Sequence, residues 1–64
     1  MSDDECRRIA DEYLKRLKDA VRKGENTRVC DILREAIEKL ESKSCPIDLV
    51  SEFKKFYKNV CEVR

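Results

Sequence analysis

The 64-residue chain has no histidine, tryptophan or glutamine, and only one glycine and one proline. Without histidine there is no imidazole base to activate a thiol or a hydroxyl group, so the sequence offers no recognisable catalytic residues. With so little glycine and proline, few positions favour a helix break or a long loop. The composition, 45% charged and 41% hydrophobic, is typical of helices joined by short turns. We expect a non-enzymatic protein that needs no cofactor.

The chain also lacks an excess of charge of one sign, since it has 15 Lys and Arg and 14 Asp and Glu. Proteins that bind nucleic acids or anionic membranes normally carry a basic stripe, so we expect neither partner. No apolar run approaches the roughly 20 residues of a membrane-spanning helix. The first residues lack the basic and apolar regions of a signal peptide, and we expect none.

Three amphipathic segments predict three helices within a single domain, 1–64. Gly24, which follows two basic residues, suits the left-handed cap that ends the first helix. Connections this short place successive helices side by side in opposite directions. The predicted fold class is therefore an all-α, antiparallel three-helix bundle, with helices at about residues 3–23, 27–42 and 46–63.

The helix starts carry their own signals. Ser2 and Glu5 have the spacing of a capping box. Asn26 is predicted to cap the second helix. Pro46 suits the first position of the third helix, where a missing amide hydrogen costs nothing, so Cys45 is predicted to cap it.

The four cysteines sort by their height along such a bundle. Cys6 and Cys45 fall near one end, and Cys30 and Cys61 near the other. Any other pairing would join opposite ends of a bundle roughly 25 Å long, whereas a disulfide needs alpha carbons within about 7 Å. We therefore predict two interhelical disulfides, Cys6–Cys45 and Cys30–Cys61.

This spacing of the cysteines also disfavours a metal site. Structural zinc sites use close pairs such as C-x-x-C, and at least 14 residues separate successive cysteines here. We expect no metal ligands. Disulfides imply an oxidising or extracellular setting, and nothing else in the sequence indicates a location.

Apolar residues at the edges of the helical stripes are candidates for contact with a partner. The edge of the third helix that carries Leu49, Phe56 and Val63 is expected to face the first helix near Leu14 and Val21. Charged and polar neighbours would complete a mixed surface of the kind found at interfaces. The predicted contact face consists of Arg7, Leu14, Lys18, Val21, Glu52, Phe56, Asn59 and Val63. The alternative is that its apolar members are boundary residues that complete the core.

Two smaller apolar sites are further candidates. Ile47 points away from the stripe of the third helix and is a candidate for partner contact; the alternative is that it covers the nearby disulfide of Cys45. Ile9 and Ile32 lie along the seam of the first and second helices.

The whole pattern resembles de novo designed three-helix miniproteins stapled by disulfides, in its capping residues, its short glycine turn and its surface of Asp, Glu, Lys and Arg. The resemblance implies either a stability test scaffold or a compact binder of a protein, such as an extracellular receptor or a viral surface protein. Ser51, Asn59 and the adjacent Phe56 and Tyr57 are unusual for an idle surface and favour a monomeric binder of one protein target. The alternatives are a scaffold with no partner and a small natural secreted helical peptide.

Overall fold

Three amphipathic helices make up the structure, a computed structural model that describes residues 3–61. They are α1 (Asp3–Arg22), α2 (Asn26–Ser42) and α3 (Ile47–Cys61), and no strand occurs within the described range. The predicted all-α class is confirmed. The predicted end of the third helix, at residue 63, lies outside the described residues.

The core forms where the apolar stripes of the three helices meet. The middle helix α2 packs against both α1 and α3, whereas the backbones of α1 and α3 approach each other at few positions. Leu33 and Leu40 of α2 and Leu17 of α1 are almost wholly inaccessible to solvent, and burial of each such side chain contributes about 1.5–3 kcal/mol. The buried set is Cys6, Ala10, Tyr13, Leu17, Ala20, Val29, Leu33, Ala36, Leu40, Cys45, Val50 and Phe53.

The connection from α1 to α2 is a Schellman motif built around Gly24. The N–H of Gly24 donates to the carbonyl of Val21 at 3.1 Å, and the N–H of Glu25 donates to the carbonyl of Ala20 at 3.0 Å. Gly24 has φ 73°, the left-handed region that only glycine enters at no steric cost. The predicted glycine cap of the first helix is confirmed.

The connection from α2 to α3 repeats this motif with a serine in the glycine position. The N–H of Ser44 donates to the carbonyl of Glu41 at 3.1 Å, and the N–H of Cys45 donates to the carbonyl of Leu40 at 3.0 Å. Ser44 has φ 56° and is the one non-glycine residue with positive φ in the described part of the chain. An L residue is strained in this conformation because its Cβ approaches the following carbonyl oxygen.

The predicted caps of α2 and α3 are each wrong by one residue. Glu25, not Asn26, is the N-cap of α2, and its side chain makes no capping hydrogen bond. At α3 the carbonyl of Pro46 accepts the first helical hydrogen bonds, from Leu49 and Val50, so Pro46 precedes the helix and Cys45 does not cap it. Glu25 belongs to both helices, because its N–H closes α1 and its carbonyl accepts the first hydrogen bond of α2, from Val29. The N–H of Cys45 closes α2, but α3 starts one residue later, at the carbonyl of Pro46. Ser2 of the predicted capping box lies outside the described residues.

Both predicted disulfides are present. Their alpha carbons are 5.7 Å apart in Cys6–Cys45 and 5.9 Å apart in Cys30–Cys61. The first joins the start of α1 to the residue pair before α3, and the second joins the start of α2 to the end of α3. The loop-entropy model assigns about 3.5–4 kcal/mol to each bridge taken alone.

An ion pair lies close to the Cys6–Cys45 disulfide. The Nζ of Lys43 donates a hydrogen bond of 3.0 Å to Oε2 of Glu5. This contact lowers the pKa of Glu5 from its ordinary value of 4.5, first through the hydrogen bond and then through the charge of Lys43. Both side chains are exposed, so the pair is a modest addition to the covalent bridge.

Candidate protein-binding groove

A groove of about 220 Å³ runs between α1 and α3, where their backbones stay apart. Its α1 wall comes from two residues one helical turn apart. Its α3 wall comes from two neighbouring rows of residues, each row with a spacing of four. The lining residues are Ala10, Leu14, Asp48, Leu49, Glu52, Phe53 and Phe56; we call this set the α1–α3 groove.

The floor of the α1–α3 groove belongs to the core. Ala10 and Phe53 are both 4% exposed, and Leu49 is partly buried against the same core. Ala10 is the smallest side chain of the lining, and its size leaves space that a leucine at this position would fill. The groove is thus a shallow gap over a rigid, well-packed base.

The rim of the groove keeps two large apolar side chains in contact with water. Leu14 on α1 is 39% exposed and Phe56 on α3 is 37% exposed. Isolated exposed apolar residues are common on proteins, but two that flank one gap make a contiguous apolar patch. Such a patch with polar edges is the usual makeup of an interface core.

The charged part of the rim is acidic. Asp48 and Glu52 lie one turn apart on α3, and no lysine or arginine of the described chain lines the groove. Neither carboxylate forms an ion pair with any residue in the range 3–61. The groove therefore combines an apolar floor with an unbalanced negative edge.

Three residues of the predicted contact face meet in this groove, namely Leu14, Glu52 and Phe56. Four others are exposed but do not line it. Val63 lies outside the described residues. The four exposed residues away from the groove are Arg7, Lys18, Val21 and Asn59.

Sequence reasoning did not assign Ala10, Asp48, Leu49 or Phe53 to the contact face. The sequence pattern puts Leu49 on the correct edge of the third helix, but only as a neighbour of that face. Ala10 offered a usable signal, because a small residue in the stripe that faces another helix leaves room between the two. Asp48 lies in the first turn of α3, where the helix dipole favours an acidic residue. This role accounts for an aspartate at this position, so the sequence pattern offers no separate signal for its place on the rim.

The two smaller apolar candidates differ from each other. Ile47 is 80% exposed, so it does not cover the disulfide of Cys45. It lines a shallow depression whose other residues include Cys45, Val50 and Lys54. Ile9 and Ile32 are partly buried and pack against the core, which makes them part of the seam between α1 and α2.

The described residues were also compared with the requirements of metal sites and membrane-spanning helices. All four cysteines are paired, and in the described range no group of three histidine, cysteine, aspartate or glutamate residues could hold a metal ion. Within residues 3–61 no helix combines the length and the apolar character needed to cross a membrane.

No known protein family, no curated protein and no solved structure matches the chain.

Proposed function

We propose that this protein is a non-enzymatic binding module that presents the α1–α3 groove to a protein target. The observation that carries the proposal is the pair of half-exposed apolar side chains, Leu14 and Phe56, on either side of a groove whose floor is rigid core. Binding energy at interfaces is concentrated in large side chains that a partner can desolvate fully.

The disulfides support this function because they fix the walls of the groove before a partner arrives. Cys6 lies one turn before Ala10 on α1, and its partner Cys45 lies just before α3. The two walls are thus linked covalently at one end of the groove. A preorganised surface loses little conformational entropy on association.

A designed origin is part of the proposal. It is supported by the minimal glycine connection at Gly24, the two disulfides whose spans overlap in sequence, and a surface rich in charged side chains. In such a protein the target would be an extracellular receptor or a viral surface protein. The proposed setting is therefore oxidising, which keeps the two bridges intact.

The experiment is a selection with the oxidised chain against a display library of extracellular protein domains. Each captured domain is then titrated with the parent chain and with Leu14→Arg and Phe56→Ala. We expect each variant to weaken binding by about 30-fold or more, the effect of losing a central interface residue. Ile47→Ala is the matched control, because Ile47 is apolar, exposed and outside the groove.

Circular dichroism and thermal unfolding of the oxidised variants establish that the bundle remains folded. A target that binds all three variants as tightly as the parent would show that the groove is not the binding surface. A library that yields no domain sensitive to Leu14 or Phe56 would favour a scaffold with no partner.

A further inference from the structure

We propose that the α1–α3 groove takes a single large apolar side chain flanked by lysine or arginine, as on an amphipathic helix of the partner. This inference rests on the proposed function and specifies the chemistry of the partner. It is carried by the size of the groove and by the charge of its rim.

The size of the groove limits what can enter it. About 220 Å³ is less than the roughly 300–1,000 Å³ of sites that enclose a small-molecule ligand. The gap is open to solvent along α1 and α3 and has an apolar floor at Ala10 and Phe53. Leu14 and Phe56 stand at its edge, where an inserted leucine or phenylalanine would cover them.

The charge of the rim indicates what should surround that side chain. Asp48 and Glu52 are four residues apart on one helix, a spacing at which like charges repel and weaken the helix. The dipole of α3 favours Asp48 in the first turn, but this effect fades beyond that turn and does not favour Glu52. A cation bound between the two carboxylates would relieve their repulsion.

A second pair with the same spacing makes the contrast clear. Asp31 and Glu35 on α2 also lie one turn apart, but cations of the chain itself line the same depression. Three cations, Arg16, Lys23 and Arg28, and two further carboxylates, Asp19 and Glu25, lie there with them. Within residues 3–61, the groove has two carboxylates and no cation in its lining. Arginine suits such a rim best, because its planar guanidinium can donate to both carboxylates.

Four other carboxylates form ion pairs within the chain. Each lies within 4 Å of a lysine or arginine nitrogen, at distances from 3.0 to 3.9 Å. These paired residues are Glu5, Asp19, Glu25 and Glu41. The rim pair differs from them in leaving its charge available to a partner.

The test is a selection from a displayed library of amphipathic helical peptides. Each peptide carries one leucine or phenylalanine, and the positions three and four residues away are varied among lysine, arginine, glutamate, glutamine and serine. The library is selected separately against the oxidised parent, the double variant Asp48→Asn with Glu52→Gln, and the control Asp31→Asn with Glu35→Gln. The control makes the same two chemical changes at the same spacing on α2.

We expect lysine and arginine to be enriched against the parent and the control but not against the rim variant. Peptides selected on the parent should bind the rim variant about tenfold more weakly, the effect of losing a charge-assisted hydrogen bond. Phe56→Ala then identifies which selected peptides occupy the groove.

Two results would overturn the inference, and only one of them would also overturn the proposed function. Groove-directed peptides with no preference for basic residues would refute the partner chemistry and leave the proposed function standing. Peptides whose binding is unaffected by Phe56→Ala and Leu14→Arg would refute both.

Discussion

The two helix connections place different residues in the same left-handed conformation. Gly24 and Ser44 each close a Schellman motif, with φ 73° and 56°. Exchanging the residue types should therefore have opposite effects. Ser44→Gly should stabilise the fold by about 0.5–1 kcal/mol, because glycine removes the Cβ strain but adds freedom to the unfolded chain. Gly24→Ser should destabilise it by a similar amount.

Thermal unfolding of both oxidised variants in urea measures the effect. A Cβ at Gly24 would meet no atom within 4 Å, so steric crowding does not complicate that half of the comparison. If Ser44→Gly lowered the stability, the strain assigned to Ser44 would be wrong.

The contact between Glu5 and Lys43 gives the fold a pH-dependent component. Because its pKa is lowered from 4.5 in the folded protein, Glu5 binds protons more weakly there than in the unfolded chain. Its contribution to stability is present above pH 4.5 and is lost as the pH falls through the lowered pKa. The melting temperatures of the parent and Glu5→Gln should therefore differ most near neutral pH and converge in acid, in a buffer of low ionic strength.

Lys43→Met supplies the control for this comparison. In that background Glu5→Gln should have a smaller pH-dependent effect, because the two largest causes of the lowered pKa, the hydrogen bond and the charge of Lys43, are gone. A difference between parent and Glu5→Gln that persisted unchanged into acid would contradict the assignment.

At the scale of the element, α3 is held less firmly after Phe53 than before it. Val50 and Phe53 are its buried residues, whereas Phe56 and Val60 are exposed and Tyr57 is only partly buried. The end of α3 is joined to α2 by Cys30–Cys61. Its local stability therefore depends strongly on that bridge.

The two disulfides should be reduced in a definite order. Cys6 and Cys45 are buried, whereas Cys30 and Cys61 are half-buried, and a thiolate must reach a sulfur atom to open the bridge. Increasing dithiothreitol should thus reduce Cys30–Cys61 first. Alkylation followed by peptide mapping identifies the open pair, and amide hydrogen exchange should then accelerate in the last turns of α3.

The matched variants Cys30→Ser with Cys61→Ser and Cys6→Ser with Cys45→Ser separate the two bridges. Loss of Cys30–Cys61 should speed amide hydrogen exchange at the end of α3. The end of the groove that Cys6–Cys45 links should keep its exchange rates. Reduction of Cys6–Cys45 before Cys30–Cys61 would show that burial does not control the order.

The elements themselves were predictable because each signal was local. Three amphipathic stripes and one glycine connection define α1, α2 and α3 to within a residue at the ends that can be compared. The caps were not predictable in the same way. The N–H groups of Glu25 and Cys45 close the helix before them, and the apolar pattern of one helix does not show how the preceding helix ends.

At the scale of the whole molecule, the cysteine pairing could be predicted from the positions of the cysteines along the bundle axis. With helices of this length and such short connections, only one pairing brings both pairs of cysteines close enough to bond. The groove was predictable only in part. The side of each helix that carries Leu14 and Phe56 follows from periodicity. The width of the gap depends on how far apart α1 and α3 stand, and both helices make their main backbone contacts with α2.

The overlap of the two bridges has a consequence for the integrity of the chain. Cys6–Cys45 and Cys30–Cys61 join residues that are 39 and 31 positions apart, and their spans overlap between residues 30 and 45. Every peptide bond from residue 6 to residue 61 is therefore enclosed by at least one covalent ring. A protease that makes one nick anywhere in that stretch leaves its two fragments tied together, and within the overlap it leaves them tied twice.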